Sequence, residues 1–173
     1  QLRRQAKETL SGLRSVVGLL RSDAEAGEPS PGLRDLPELI SSTRALGVDI
    51  ELLNGGILSG GADEADVGDA LILSPLADTA VFRVVQQAIS NALQHAPGSP
   101  ITVELRRAED SLELSVLNGP ARRPSTDPGG GGTGLAVMRE RTDAVGGSLH
   151  AGPVEGGGWR VRLVLPLAQE EDA

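Results

Sequence analysis

The stretch Val81 to Ala96, VFRVVQQAISNALQHA, decides how the rest of this chain is read. Arg83, Gln87, Asn91 and His95 recur every fourth residue, with Gln86, Ser90 and Gln94 beside them. Val81, Phe82, Val85, Ala88, Ile89, Ala92 and Leu93 fall opposite. Side chains three and four apart share a helix face, so the spacing predicts an amphipathic helix packed on a core. A helix face that meets only water is usually filled with Glu and Lys pairs. This one carries amides and an imidazole, which both donate and accept hydrogen bonds, and it reads as one wall of a polar site. The competing reading is a plain solvated face.

Working outward, Ser74 to Asp78 (SPLAD) supplies a helix start, with Ser at the cap and Pro in the first turn. Upstream, Val48 to Leu53 reads as a strand and Leu33 to Leu46 as a short helix, with a glycine-rich acidic loop from Gly55 to Asp69. Downstream, Ile101 to Arg106 and Leu112 to Leu117 alternate apolar and polar residues and read as a hairpin. The long segment from Asn118 to Thr133 is rich in Pro and Gly, and connections of that length are usually functional. Gly134 to Val145 returns to helical period until Gly146 and Gly147 stop it. Ser148 to Gly152 and Trp159 to Leu167 form a second hairpin. The expected fold class is α/β (α+β): a two-layer sandwich with a mixed, mostly antiparallel sheet and helices on one face.

The ends differ in character. Residues 1–23 carry Leu2, Ala6, Leu10, Leu13, Val16, Val17 and Leu20 near heptad spacing, predicting a long helix with a seam for a partner. Residues 24–32 are a Pro/Gly/Glu linker, 33–167 the main domain and 168–173 an acidic tail.

Composition narrows the chemistry. Hydrophobic residues make up 39% and charged residues 23% of 173, enough for one domain with a real core. Phe82 and Trp159 are the only aromatics, so that core is aliphatic. The absence of cysteine excludes disulfides, thiolate metal sites and cysteine nucleophiles. A net charge of -8 argues against nucleic acid as a partner. No stretch has the apolar length of a membrane span, and the N-terminus lacks a signal-peptide core, so no membrane contact is expected. Lys7 is the only lysine, which removes a Walker A loop. Gly129, Gly131 and Gly134 match G-x-G-x-x-G only because a glycine run matches almost any such pattern.

The order of a polar helix with Asn91, a strand ending in Asn118 and Gly119, a long loop, and a glycine run opening a helix resembles the ATP-binding domain of sensor histidine kinases. This is the Bergerat (HATPase) fold shared with gyrase-type ATPases and Hsp90, here most like the nitrate-regulator-like class of actinobacteria. RVVQQAISNALQHA is similar to the family's N box, VLNGP to its G1 motif, and GGGTGLAVMRERTDAVGGSL to its G2 motif. The resemblance covers Leu33 to Leu167, and residues 1–23 resemble the second helix of a dimerisation hairpin.

The resemblance implies ATP and Mg²⁺ as ligands, with Asn91 as the metal-holding amide. It also implies contributions from His95, Asn118, Gly119, Gly132, Thr133, Gly134 and Leu135 to ATP binding. Small residues and free N–H groups at a helix start suit phosphate. Arg83, Arg122, Arg123 and Arg139 are candidate phosphate partners. Three features depart from the pattern: the usual second G1 glycine is missing, with Pro120 to Pro124 (PARRP) following, and two site positions are changed. Gln87 stands where the family has a glutamate proposed as general base, and glutamine takes up no proton at neutral pH. Asn118 replaces the adenine-reading aspartate, and a neutral in place of a charge-assisted bond weakens binding by about 1 kcal/mol, roughly tenfold.

The implied function is the catalytic part of a cytoplasmic, homodimeric two-component kinase that phosphorylates a histidine outside this sequence. Its partners would be its own phosphotransfer helices and a response regulator. A degenerate ATP-binding signalling module and an anti-sigma-type serine kinase are the alternatives.

Overall fold

The structure is a computed structural model and describes residues 30–55, 57–58, 71, 73–122 and 133–167. The expected helix at 1–23, most of the linker and of the acidic loop, and the tail lie outside the described residues.

A five-stranded sheet carries three helices on one face. In chain order, a 3-10 turn at Leu33–Asp35 leads into α1 (Leu36–Ala45) and β1 (Ile50–Leu53). Helix α2 (Pro75–His95), β2 (Ile101–Ala108), β3 (Ser111–Asn118), α3 (Thr133–Asp143), β4 (Ser148–Pro153) and β5 (Trp159–Pro166) follow. The strand order is β1-β2-β3-β5-β4. Only β1 pairs in parallel, with β2; the other pairings are antiparallel. Both expected hairpins are present, but the second enters the sheet with β5 beside β3, so Trp159 pairs opposite Asn118. Pattern alone does not reveal that long-range register.

Helix α2 begins as its sequence dictates: Ser74 is extended, its Oγ accepts from the Ala77 N–H at 3.2 Å, and Pro75 occupies the first turn. Asp78, also in that turn, accepts from the Leu33 N–H at 2.9 Å and ties the start of α1 to α2. A side chain at Gly32 would overlap the Asp78 carboxylate, which accounts for a glycine there.

The core lies between α2 and the inward rows of the sheet. Val81, Val84, Val85 and Ile89 are fully enclosed against Ile101, Val103 and Leu105 of β2, Leu112 and Leu114 of β3, and Leu163 and Leu165 of β5. Each such side chain contributes roughly 1.5–3 kcal/mol when taken out of water. The opposite sheet face carries Thr102, Glu104, Arg106, Glu113, Ser115, Arg160 and Arg162, with Arg162 paired to Glu113 at 3.1 Å. This is the alternation of a sheet wet on one side.

At the end of α3, Gly146 takes φ +72°, and a Cβ on Gly147 would lie 2.8 Å from Thr142 Cγ2 and 3.0 Å from the Val164 carbonyl. Two successive glycines are therefore needed to turn the chain from α3 into β4.

Candidate functional site

The strand alternation that builds the core also builds the site. On β3, Leu112, Leu114 and Val116 point inward, and the next inward position is Asn118, 8% exposed. An amide thus ends a row of buried aliphatics, and beside it opens a cavity of about 500 Å³ between α2, α3, the end of β3 and the β4–β5 turn. Most of its walls are apolar, including Ala88, Ala92, Val116, Leu135 and Val161; Asn91, His95 and Asn118 are its polar side chains. A slot of this size with few polar groups suits a small organic ligand. None of its described lining residues is Asp, Glu, Lys or Arg.

Asn91 and His95, one helical turn apart on α2, face the cavity together, as the stripe predicts. Gln87, one turn earlier, donates from Nε2 to Asn91 Oδ1 at 3.0 Å. That carbonyl oxygen keeps a second lone pair, so it can hold a cation as well as Gln87. Helix α3 approaches this pair with Gly134: a Cβ there would lie 3.1 Å from Gln87 Nε2 and 3.5 Å from Asn91 Oδ1. Gly134, the second residue of α3, thus lets the start of that helix sit against the polar wall.

The Asn118 Nδ2 donates to its neighbour's carbonyl, Gly119 O, at 2.9 Å, which leaves the oxygen to meet a ligand. Gly119 is itself held by its N–H to Pro100 O at 3.1 Å, and Pro100 Cδ would lie 3.2 Å from a Cβ there. The segment leaving β3 is anchored once more where the Arg122 N–H meets Pro97 O at 3.2 Å.

Several expected residues fall elsewhere. Gln86, placed by its spacing on the polar stripe, is 8% exposed and accepts from Arg83 Nη1 at 2.8 Å. The guanidinium satisfies the amide oxygen, which lowers the cost of its burial. Arg83, Arg122 and Arg139 do not line the cavity. Thr133 is exposed at the start of α3, and Leu135 lines the cavity two residues on. Gly132 and Arg123 lie outside the described residues.

The sequence reading missed the β4–β5 turn as a wall. Pro153, Gly157, Gly158 and Trp159 all line the cavity. A side chain on Gly158 would overlap the Asn118 carbonyl oxygen, so this glycine is what lets the turn close over the strand end. The run Gly156 to Gly158 was its available signal, since three glycines exceed what a hairpin turn requires.

Residues 77–169, which contain every lining residue of the cavity, match the model of the histidine kinase-, DNA gyrase B- and HSP90-like ATPase family. The chain belongs to this family. As an ATPase-family domain it binds ATP. Among curated relatives, sensor protein VraS of Staphylococcus epidermidis is 34% identical over 93 residues, 54% of this chain and 27% of the relative. VraS of Staphylococcus haemolyticus is 34% identical over 92 residues, 53% of this chain and 26% of the relative. The chain therefore spans about a quarter of the length of these curated relatives.

The histidine kinase domain of the Erythrobacter litoralis EL346 blue-light activated histidine kinase has the same fold. Its TM-score is 0.58 at 18% identity, covering 94% of this chain and 76% of that one. The Acinetobacter baumannii histidine kinase AdeS aligns with TM-score 0.53 at 14% identity, covering 94% of this chain and 77% of that one. Family, relatives and fold agree on an ATP-binding domain of the sensor histidine kinase type. No helix among the described residues is long and apolar enough to cross a membrane.

Proposed function

We propose that this chain is the catalytic part of a two-component sensor histidine kinase, which transfers the γ-phosphoryl group of ATP to a histidine and from there to a response regulator. The observation that carries this reading is the convergence of Asn91, Asn118 and the α3 N-terminus on one cavity. The apolar slot ending at Asn118 takes the adenine, with Asn118 Oδ1 accepting from its amino group. The polar end takes the phosphates, against the N–H groups of α3 and within reach of His95. Leu135, on the cavity wall, completes that cradle, and the motif resemblance adds Gly119, Gly132 and Thr133 to the ATP contacts.

Asn91 Oδ1 is a hard oxygen ligand. Among the described residues no group of three or more His, Cys, Asp or Glu could hold a metal. That fits Mg²⁺ carried in by the nucleotide and met by one amide, not caged by protein alone. The ion's contribution is charge neutralisation on the phosphates.

In the transfer, the bond from Pγ to the ADP oxygen breaks as a histidine nitrogen bonds to Pγ. The attacking nitrogen is the one that carries no proton. The proton on the other ring nitrogen passes to water or to a base beside the acceptor, because Gln87 cannot take it. The bond from Gln87 to Asn91 orients the amide wall. Both histidines of this sequence are placed elsewhere, His95 on the cavity wall and His150 on β4. The acceptor is a histidine outside it, on helices that residues 1–23 would join in a cytoplasmic homodimer. The acid-free lining also supports a second reading, an ATP-binding signalling module without turnover.

Calorimetric titration of the chain with ATP, with and without Mg²⁺, tests the site. Magnesium-dependent binding is expected, weakened about a hundredfold by Asn91→Ala, the scale of a hydrogen bond or ligand to a charged group. No binding at millimolar ATP by a folded sample would overturn the proposal.

A further inference from the structure

This inference rests on the nucleotide reading above and concerns which base the cavity admits. The backbone of Asn118 is pinned on both sides: it pairs with Ile101 of β2 and Trp159 of β5, and Gly158 presses on its carbonyl. Its side chain is buried, and among the described residues the amide's direction is fixed by the bond from Nδ2 to Gly119 O, 2.9 Å. No acid, lysine or arginine lines the cavity among the described residues.

From these observations we infer that Asn118 makes the site a two-way purine reader, one that admits 6-oxopurine triphosphates as well as ATP. In the pose observed, Nδ2 is bonded to Gly119 O, so Oδ1 is the end left to match the 6-amino group of adenine. An amide turned end for end offers Nδ2 instead, a donor to a 6-oxo group. The turn costs the bond to Gly119 O and sets Oδ1 beside that carbonyl, acceptor against acceptor, a mismatch worth about thirtyfold in affinity. A carboxylate has no such second pose. It would face a 6-oxo group with an unpaired buried charge, and sites left with unmatched polar groups reject a ligand by about 10⁴-fold.

ITP is the informative probe, because it replaces the 6-amino group with a 6-oxo group and leaves sugar and phosphates unchanged. MgATP and MgITP are titrated calorimetrically into the 173-residue chain, its Asn118→Asp variant and its Asn118→Ala variant. The expected result is ITP within about thirtyfold of ATP in the natural chain, the cost of turning the amide. The gap should widen to about a thousandfold or more in Asn118→Asp, where the carboxylate cannot turn. It should close to within about threefold in Asn118→Ala, which has no polar head to read the base. Tight ATP binding with no ITP binding at a hundred times the ATP dissociation constant would overturn this inference and leave the ATP site standing. If neither nucleotide bound the folded chain, the nucleotide reading would fall, and this inference with it. An Asn118→Asp variant that fails to fold leaves the natural chain and Asn118→Ala to decide.

Discussion

The two helices that wall the cavity are built to different standards. Helix α2 is 21 residues long, and its buried side includes Val81, Val84, Val85 and Ile89. Helix α3 is 11 residues long and buries only Met138 and Thr142. Thr142 has its Oγ1 turned back onto Met138 O at 2.8 Å. Asn91 and His95 thus stand on an element that can loosen only if the core does. Gly134 stands on one that can move at small cost. Segments with few buried contacts open at free energies well below that of global unfolding. A site with one rigid and one labile wall fixes the groups that read a ligand and lets the other side adjust to it.

The largest effect that tests this difference comes from one kind of truncation made in both helices. Ile89→Ala, in the closed core, should lower unfolding free energy by about 3–4 kcal/mol, the usual cost of a large aliphatic deletion with its cavity. Met138 is just as buried, at 1% exposed. Met138→Ala should nevertheless cost only about 2 kcal/mol, the low end of that range, because α3 can undock without opening the core. Urea melts give the two numbers. Amide exchange supplies the decisive readout, with α3 amides alone accelerated in Met138→Ala and all core amides accelerated in Ile89→Ala. Equal global losses with uniform acceleration would show that α3 is as firmly built in as α2.

A smaller effect probes the contact between the two walls. Gly134→Val places methyl groups against Gln87 Nε2 and Asn91 Oδ1, where even a Cβ is close at 3.1 and 3.5 Å. The labile wall should give way: ATP affinity falls about tenfold or more while global stability changes by less than about 1 kcal/mol, as at sites where a loosely held element absorbs the strain. Calorimetry and urea melts on the same sample separate the two. A stability loss above that bound with binding intact would reverse the assignment of which wall yields.

This contrast also explains what could be read from the sequence. Helix α2 was legible because its cap, its Pro75 and its periodicity all agree, and local consistency of that kind survives folding. The hairpins were legible from alternation, and so was the pairing of Asn91 with His95. Gln86 was not: it lies at the edge of the polar stripe, and whether an edge residue is buried depends on how the helix sits on the sheet, with Arg83 Nη1 then reaching its Oε1. The β4–β5 turn was not recognised as a wall either. Its position depends on β5 inserting beside β3, which sets Trp159 opposite Asn118 and Gly158 on the Asn118 carbonyl. Non-local register of this kind is decided by the assembled sheet.

The smallest effect lies at the seam between the rigid wall and the strand that carries Asn118. Ser99, in the loop from α2 to β2, is 4% exposed; its N–H donates to Ala96 O at 3.1 Å, but its Oγ has no partner among the described residues. A buried hydroxyl without a partner costs free energy that an alanine does not. Ser99→Ala should therefore leave the loop in place through its backbone bonds and raise stability by between 0 and about 1 kcal/mol, with ATP affinity unchanged within about twofold. Thermal melts and the same calorimetric titration measure both. A loss of more than about 1 kcal/mol, the worth of one hydrogen bond, would mean that the hydroxyl is paired in solution. The rigid wall would then extend, through Ser99 and its neighbour Pro100, to the Gly119 corner that orients Asn118.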